Sequence, residues 1–207
     1  IIGIDAGTSV IKSIAFDLSG QHIASAAVPN RYTTAEGSAA TQPLDQTWDD
    51  CAQSMRQLAE HVPDLASRVV AVAVTGQGDG TWLVDQNANP VGDAWLWLDA
   101  RAGATAETLR QSAGDTARFA RTGTGLNACQ QGAQLAHMMA HFPDQLDKAA
   151  TAFHCKDWLY LNLTGIRATD PSEGCFTFGD YKTRSYSDEV IDFYGLGKHA
   201  SLIPPIC

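Results

Sequence analysis

The chain opens with Ile1-Ile2-Gly3-Ile4-Asp5-Ala6-Gly7-Thr8-Ser9 and continues through Lys12 to Ile14-Ala15-Phe16-Asp17. An apolar strand ends at a carboxylate, a turn that contains glycine follows, and a second apolar strand leads away. Backbone amides in a tight turn can converge on a phosphate, and Gly7 permits the positive φ that such a turn can require. Thr8 can add a hydroxyl donor, whereas Asp5 suits Mg²⁺ or its bound waters. An ordinary β-hairpin with a glycine turn is the alternative for this stretch taken alone.

Composition limits the classes of function. The 207 residues predict one large domain, or one domain with a small extension. A net charge of −9 argues against general binding to nucleic acid or to an anionic membrane, although a local positive site could still hold an anion. The five cysteines are scattered without a metal-binding spacing, which favours a reduced, cytoplasmic location and argues against zinc. No apolar run approaches the ~20 residues that span a bilayer.

Three strands are expected first, over residues 2–5, 11–17 and 23–28, and the short turn between the last two predicts an antiparallel meander. Residues 29–43 are predicted to form a loop. Asp45 or Thr47 can cap a helix that runs to about His61. The continuous apolar run at 69–74 predicts a strand buried on both faces.

Later segments favour an α/β class, because further strands alternate with helices. Gly165 predicts the end of one helix and Asp170 the capped start of another. The proline pair Pro204-Pro205 is typical of the start of a linker, so we expect the chain to be a piece of something longer. The remaining predicted elements are a strand at 82–85 and helices from about 102, at 135–141, at 156–163 and at 188–194.

A glycine-rich segment, Gly76-Gln77-Gly78-Asp79-Gly80, follows the predicted buried strand. Ligands of open α/β sheets gather at that edge. Gln77 and Asp79 offer the amide and the carboxylate that hydrogen-bond a polyhydroxylated molecule, and we expect Asp79 to accept from two substrate hydroxyls. A turn in which the aspartate binds its own backbone is the alternative.

Asp99 and Arg101 lie two residues apart at a predicted strand-to-helix junction. They can pair with each other, cap the helix or face a ligand. Trp82, Trp95 and Trp97 are predicted to be core residues rather than a stacking platform for a carbohydrate, since their neighbours are apolar.

Two polar segments carry less specific signals. Asn127, Gln130 and Gln131 predict either a polar pocket wall or a solvated loop. Cys155 follows His154, but neighbours in sequence rarely face each other as nucleophile and base, so we do not expect a catalytic thiol there.

Five segments together resemble the FGGY family of carbohydrate kinases, which includes xylulokinases and glycerol kinases. They occur in the family's order and span nearly the whole chain. The first is shared with the wider clan of actin and hexokinase, so the other four carry the resemblance. The segments are GIDAGTSVIKSIAFD from Gly3, TGQGDG from Thr75, LWLDAR from Leu96, TGTGLNACQQGAQL from Thr122, and KDWLYLNLTG from Lys156 with ATDPS from Ala168.

The resemblance implies an α/β, ribonuclease-H-like domain of the actin-like ATPase clan, with a mixed sheet whose N-terminal strands are antiparallel and flanked by helices. Residues 1–207 would form the N-terminal domain that binds substrate and phosphate. A C-terminal domain beyond Cys207 would hold adenosine and supply the general base, an aspartate.

The resemblance also implies roles for individual residues. Asp5 would be the carboxylate near the metal and the phosphate. The implied cofactor-binding residues are Gly7, Thr8, Ser9 and Lys12, and the implied substrate-binding residues are Gln77, Gly78, Asp79, Asp99 and Arg101.

The sequence departs from the family pattern at several positions. Gly78-Asp79 stands where xylulokinases carry Met-His and glycerol kinases Arg-Glu. The acidic second position resembles the glycerol type, while the glycine at the first position leaves room for a longer substrate. Leu98 stands where many family members have Asn or Gln, and Gln134 stands where a Lys is frequent. The whole set resembles most the erythritol kinases and nearby polyol kinases.

The implied function is ATP- and Mg²⁺-dependent phosphorylation of a polyol or sugar hydroxyl, for which this chain supplies one half of the site. The expected partners are a small polyol or sugar and the protein's own C-terminal domain, while a homodimer stays open. The alternatives are a xylulose- or glycerol-type kinase, a catalytically silent polyol-binding module, and an actin-like ATPase. The LWLDAR and GQGDG segments count against the last.

Overall fold

Strands dominate the first part of the chain and helices the second in the computed structural model, which describes residues 1–207. Two short 3-10 segments, Glu36–Ser38 and Gly197–Leu202, complete the elements. The strands are β1 (Ile2–Ala6), β2 (Val10–Phe16), β3 (His22–Pro29), β4 (Thr33–Ala35), β5 (Ala39–Gln42), β6 (Val72–Gly76), β7 (Trp82–Val84), β8 (Ala94–Trp95), β9 (Thr151–Phe153), β10 (Gly179–Asp180) and β11 (Ser185–Tyr186). The helices are α1 (Leu44–His61), α2 (Leu65–Arg68), α3 (Gly103–Arg110), α4 (Asp115–Thr122), α5 (Gln131–His141), α6 (Pro143–Leu146), α7 (Cys155–Thr164), α8 (Pro171–Phe178) and α9 (Asp188–Phe193).

The main sheet has four strands in the order β3-β2-β1-β6. The strands β1, β2 and β3 form the predicted antiparallel meander, and β6 adds to β1 in parallel. The mixed α/β sheet with antiparallel N-terminal strands is therefore confirmed. In the parallel register Asp5 lies opposite Thr75 and Ala6 opposite Gly76, so the two glycine-bearing segments that follow these strands begin side by side.

One hydrophobic core lies on the face of the main sheet that α1 and α7 cover. Ile2, Ile4 and Ala6 of β1 point into it, because every second side chain of a strand lies on the same face. The same alternation turns Asp5 to the other face, where it is exposed. A second core forms around α5, with Trp95, Leu135 and Phe178 among its members.

The strand predicted at 69–74 differs from the observed one. It runs from Val72 to Gly76 at the edge of the sheet, where it pairs only with β1, and Val70 and Val72 are exposed. The prediction of burial on both faces is therefore wrong for this structure. An apolar run has the same appearance in a central strand and in an edge strand, since the sequence does not indicate how many neighbours the strand has.

The predicted loop at 29–43 contains two strands. The strands β4 and β5 form an antiparallel hairpin, and β5 also pairs with β8. Pro43 occupies the cap position of α1, so neither Asp45 nor Thr47 caps that helix, and the Thr47 hydroxyl instead donates to the Pro43 carbonyl.

The predicted end of one helix at Gly165 and the predicted capped start of the next at Asp170 are confirmed. Gly165 ends α7 with a φ of +74°, and the Asp170 carboxylate accepts hydrogen bonds from the amides of Ser172 and Glu173 at the start of α8. α4 was not predicted. None of the helices is long and apolar enough to cross a bilayer.

Candidate active site

One cleft of about 560 Å³ opens where β1 and β6 end. Ligands of α/β sheets bind at the carboxyl ends of strands, and the parallel register of β1 and β6 brings both glycine-bearing segments to this place. The cleft therefore unites six of the predicted site residues with five that the sequence did not single out as site residues. Its lining consists of Asp5, Gly7, Thr8, Gly76, Gln77, Gly78, Asp79, Trp97, Ser172, Glu173 and Phe176.

The turn after β1 depends on glycine for space. A Cβ at Gly7 would lie 2.9 Å from the carbonyl oxygen of Val10, closer than a side chain tolerates. Its φ is not positive, so the predicted reason for glycine at this position is wrong. The Asn30 side-chain amide donates to the Gly7 carbonyl (2.9 Å), and this hydrogen bond holds the turn against the end of β3.

The Thr8 hydroxyl is engaged on both sides. It donates to Oε1 of Gln77 (3.1 Å) and accepts from Nε1 of Trp97 (2.8 Å). Thr8 thereby links the turn to the segment after β6 and to the segment after β8. Because its proton is directed at Gln77, the backbone amides of the turn are the donors left for a phosphate.

Two buried amides complete this network. Nε2 of Gln77 donates to Oε1 of Gln42 (2.7 Å), and Nε2 of Gln42 donates to Oδ1 of Asn30 (2.8 Å). Nδ2 of Asn30 in turn donates to the Gly7 carbonyl, so a continuous path of hydrogen bonds, here called the amide path, runs from Thr8 through Gln77, Gln42 and Asn30 back to the turn. Sequence reasoning missed Gln42 and Asn30, since both lie in the stretch predicted to be a loop.

Asp79 has a strained backbone, with a φ of +54°. Such strain costs about 1–3 kcal/mol and concentrates at functional sites. Its Oδ2 accepts from the Cys129 thiol (3.4 Å), while its Oδ1 is buried without a partner in the protein. Burial raises the pKa of Asp79, and the Cys129 bond and the nearby His154 oppose that rise. An acceptor atom without a partner at the wall of a cleft is suited to a ligand that donates hydrogen bonds.

Trp97 borders the cleft with 47% of its surface exposed. The prediction of a core residue is wrong for Trp97 and confirmed for Trp82 and Trp95, which are buried. The reason is that β8 ends at Trp95, so Trp97 lies in the turn beyond the strand, where alternation no longer applies.

Asp99 and Arg101 lie outside the lining of the cleft. The Asp99 carboxylate, only 1% exposed, accepts from the amide of Ala40 (2.9 Å) and from Nη2 of Arg101 (2.7 Å). The Arg101 guanidinium lies 3.4 Å from the ring centroid of Trp95. This pair ties the segment after β8 to β5, and its predicted contact with substrate stays a prediction.

Ser9 and Lys12 are exposed and also lie outside the lining. Lys12 is directly opposite Asp5 in the antiparallel register of β1 and β2, so both side chains are on one face of the sheet. Their predicted role in cofactor binding stays a prediction.

The polar segment at 127–131 lies outside the lining of the cleft; Asn127 is exposed, whereas its two glutamines are in the interior. Gln131 donates to the carbonyl of Phe153, and Gln130 and Gln131 are both buried away from the cleft. Burial also raises the pKa of the Cys155 thiol, in agreement with the prediction that it is not a nucleophile.

A cluster of ionisable side chains centred on His154 lies beside Glu173 of the cleft. Nδ1 of His154 is 3.4 Å from Asp157, and Nε2 of His154 is 3.6 Å from Oε2 of Glu173. Lys156 pairs with Asp157 (2.6 Å) and Asp170 (2.8 Å). Burial alone lowers the pKa of His154, but the Asp157 hydrogen bond and the Glu173 charge outweigh it and raise that pKa. The histidine thus connects α7 to the first turn of α8.

Comparison with known proteins gives the family. The model of the FGGY family of carbohydrate kinases, N-terminal domain, matches residues 1–207. The chain belongs to this family.

The relatives of this FGGY domain are longer than it is. The chain is 61% identical over 206 residues to an erythritol kinase of Brucella abortus and covers 100% of itself but 40% of that protein. It is 27% identical over 214 residues to an autoinducer-2 kinase of Klebsiella pneumoniae, of which it covers 39%. Its fold matches the crystal structure of xylulose kinase from Rhodospirillum rubrum with a TM-score of 0.91 at 24% identity, over 100% of this chain and 42% of that one. The predicted fold class is confirmed.

The FGGY domain also contains cleft residues that sequence reasoning did not foresee. Ser172, Glu173 and Phe176 come from α8, more than ninety residues after the Gly78 segment. The Asp170 cap predicted the helix that carries them, but not its place beside the cleft. Only the placement of α8 beside the cleft makes them neighbours of Gly78 and Asp79.

Proposed function

We propose that the protein to which this FGGY domain belongs transfers a phosphoryl group from ATP to a hydroxyl of a short polyol, with erythritol as the favoured substrate. The observation that carries the proposal is the single cleft in which the turn at Gly7 and Thr8 lies together with Asp79. The 61% identity to the Brucella abortus erythritol kinase supports the choice of polyol. The chain spans about 40% of that relative, so we also propose a C-terminal domain that binds adenosine and carries the general base.

The phosphate side of the cleft is neutral apart from Asp5. Asp5 fits Mg²⁺ because its carboxylate is exposed in the cleft beside the turn, and Mg²⁺ accepts one or two carboxylates beside substrate phosphates. When bound, ATP supplies the phosphoryl group and Mg²⁺ neutralises part of its charge. The amides of the turn, held by Asn30 and Thr8, would bind phosphate oxygens.

The other side of the cleft would hold the polyol. The unpartnered Oδ1 of Asp79 can accept from a hydroxyl, and the exposed ring of Trp97 can cover the C–H groups of the carbon chain. The hydroxyl oxygen forms a bond to phosphorus, the bond to the ADP oxygen breaks, and the hydroxyl proton passes to the general base. The contribution of this domain is positioning, since phosphoryl transfer depends mainly on alignment and charge stabilisation.

We propose a cytoplasmic location, because all five cysteines are free. A homodimer is left open.

The test uses the full-length protein with ATP, Mg²⁺ and a panel of erythritol, glycerol and xylulose, and measures both ADP and the phosphorylated product. We expect the highest kcat/KM with erythritol. A preference for glycerol or xylulose would identify that compound, in place of erythritol, as the substrate. Binding of a polyol without turnover would indicate a catalytically silent module. ADP release without a phosphorylated polyol would indicate an actin-like ATPase.

Asp79→Asn tests the polyol side, because asparagine retains the shape and tolerates the left-handed φ but removes the charge. We expect kcat/KM for erythritol to fall about tenfold or more, as for the loss of a hydrogen bond to a charged group. The matched control is Asp93→Asn in an exposed loop, which should leave kcat/KM unchanged. Equal kinetics for both variants would remove Asp79 from the site.

A further inference from the structure

Glu173 enters the cleft from the first turn of α8 and faces Gly78. A Cβ at Gly78 would lie 3.5 Å from Oε1 of Glu173, so this carboxylate borders the space that a side chain at position 78 would use. Glu173 lines the cleft, and its side chain is 18% exposed. The absence of a side chain at Gly78 therefore gives Glu173 access to whatever the cleft holds.

The position of Glu173 is fixed from two directions. Its backbone amide donates to Asp170 (3.1 Å), which anchors the start of α8. Behind it, Nε2 of His154 lies 3.6 Å from Oε2, and the His154 side chain is 5% exposed. This Nε2 is buried and has no hydrogen-bond partner in the protein, and the Glu173 carboxylate lies beside it. The imidazole lies beside Oε2 of Glu173, whereas Oε1 is the oxygen near Gly78.

The cleft is thus lined by two carboxylate side chains close to Gly78, that of its chain neighbour Asp79 and that of Glu173. Ionised carboxylates only accept hydrogen bonds, and polyol hydroxyls supply donors at neighbouring carbons. Fixed negative charge at close range also repels an anionic ligand of similar shape.

We propose that Glu173 is a substrate-contacting residue that accepts hydrogen bonds from the hydroxyls of an acyclic, uncharged polyol and selects against acidic analogues of it, with His154 as its positioning residue. This inference rests on the proposed function and deepens it. It explains why Gly78 is small, since a side chain there would separate Glu173 from the substrate.

The experiment compares erythritol with erythronate, the aldonate with the same number of carbons, in the full-length enzyme and its Glu173→Gln variant. We expect Glu173→Gln to lower kcat/KM for erythritol about tenfold or more, mainly through KM, because a charged acceptor is lost. The preference for erythritol over erythronate should shrink by a similar factor, since one repulsive charge is removed. Glu60→Gln, an exposed position on α1, is the matched control and should change neither value.

A purely structural role for Glu173 would alter thermal stability and leave the erythritol-to-erythronate ratio unchanged, and that result would overturn the inference. If Glu173→Gln does not fold, Gly78→Met decides, because it interposes a side chain between Glu173 and the cleft. We expect it to raise KM for erythritol, and an unchanged KM would overturn the inference. An enzyme that phosphorylates no polyol even in its natural form would instead refute the proposed function.

Discussion

The two sides of the cleft are built from opposite kinds of polar group. On the phosphate side, the turn at Gly7 and Thr8 is held by the neutral amides of Asn30, Gln42 and Gln77 in a continuous hydrogen-bonded path. Neutral donors and acceptors satisfy one another without placing negative charge where an anion would bind. A phosphate bound there, as we propose, would meet amides rather than carboxylates, with Asp5 as the single exception.

On the other side, charged groups predominate, and some of their polar atoms lack hydrogen-bond partners. Asp79 and Glu173 line the cleft, while His154 lies behind them between Glu173 and Asp157. One oxygen of Asp79 and one nitrogen of His154 lack partners. The side whose polar atoms are all hydrogen-bonded to one another is suited to a rigid turn. The side with unpartnered hydrogen-bonding atoms is suited to a ligand that forms hydrogen bonds.

The largest effect is expected at Asp5, the one carboxylate on the neutral side. Asp5→Asn in the full-length enzyme should lower kcat by about 100-fold and raise the Mg²⁺ concentration needed for half-maximal rate, since loss of a group that orients a metal costs about 10- to 100-fold or more. Asp93→Asn is the charge-matched control. An unchanged Mg²⁺ dependence would show that the charge of Asp5 serves another purpose.

A medium effect is expected from breaking the amide path. Gln42→Leu should destabilise the protein by about 1–3 kcal/mol, because it leaves polar atoms of Asn30 and Gln77 buried without partners. Urea denaturation gives the stability, and hydrogen exchange at residues 6–9 should become faster as the turn loosens. Gln53→Leu on the exposed face of α1 is the control. Unaltered exchange at the turn would mean that the path does not hold it.

The smallest effect is expected in the pH dependence of stability on the charged side. The folded-state pKa of His154 is raised above its unfolded value of about 6.5. Protonation therefore adds stability that is fully present below about pH 6.5 and is lost as the pH rises through the raised value. The charged groups around it are Asp157 and Lys156 of α7, Glu173 of α8, and Asp79.

His154→Gln removes this titration, so the difference in melting temperature between pH 6 and pH 9 should be smaller in the variant than in the natural protein. His22→Gln, at an exposed position on β3, should retain the difference. Equal differences in all three proteins would contradict a charged His154.

Local signals in the sequence sufficed to predict several of the residues that line the candidate cleft. Asp5 lies near the end of a strand that any apolar run of this length predicts, Thr8 follows that strand, and Asp79 lies in a glycine-rich segment that must turn. Gly165 and Asp170 stop and restart helices through interactions within a few residues, so they are readable from the sequence. These features depend on backbone geometry close to the residue itself.

Contacts between distant segments could not be read in this way. Gln42 and Gln77 are 35 residues apart, and their contact depends on the pairing of β5 with β8 and of β6 with β1. Glu173 meets Gly78 only because α8 packs beside the cleft. The family resemblance predicted the fold, but it did not indicate these partners.

The sequence by itself determined the antiparallel meander of β1, β2 and β3, the turn after β1 and the carboxylate near the end of β1, because hydrophobic alternation and glycine act locally. The tertiary structure alone decided that β6 is an edge strand, that Trp97 faces the cleft and that Glu173 joins Asp79 at its wall. The physical reason is that burial and side-chain contact depend on which surfaces meet in space. A sequence specifies a residue's own preferences, whereas its neighbours across the fold are set by the packing of the whole chain.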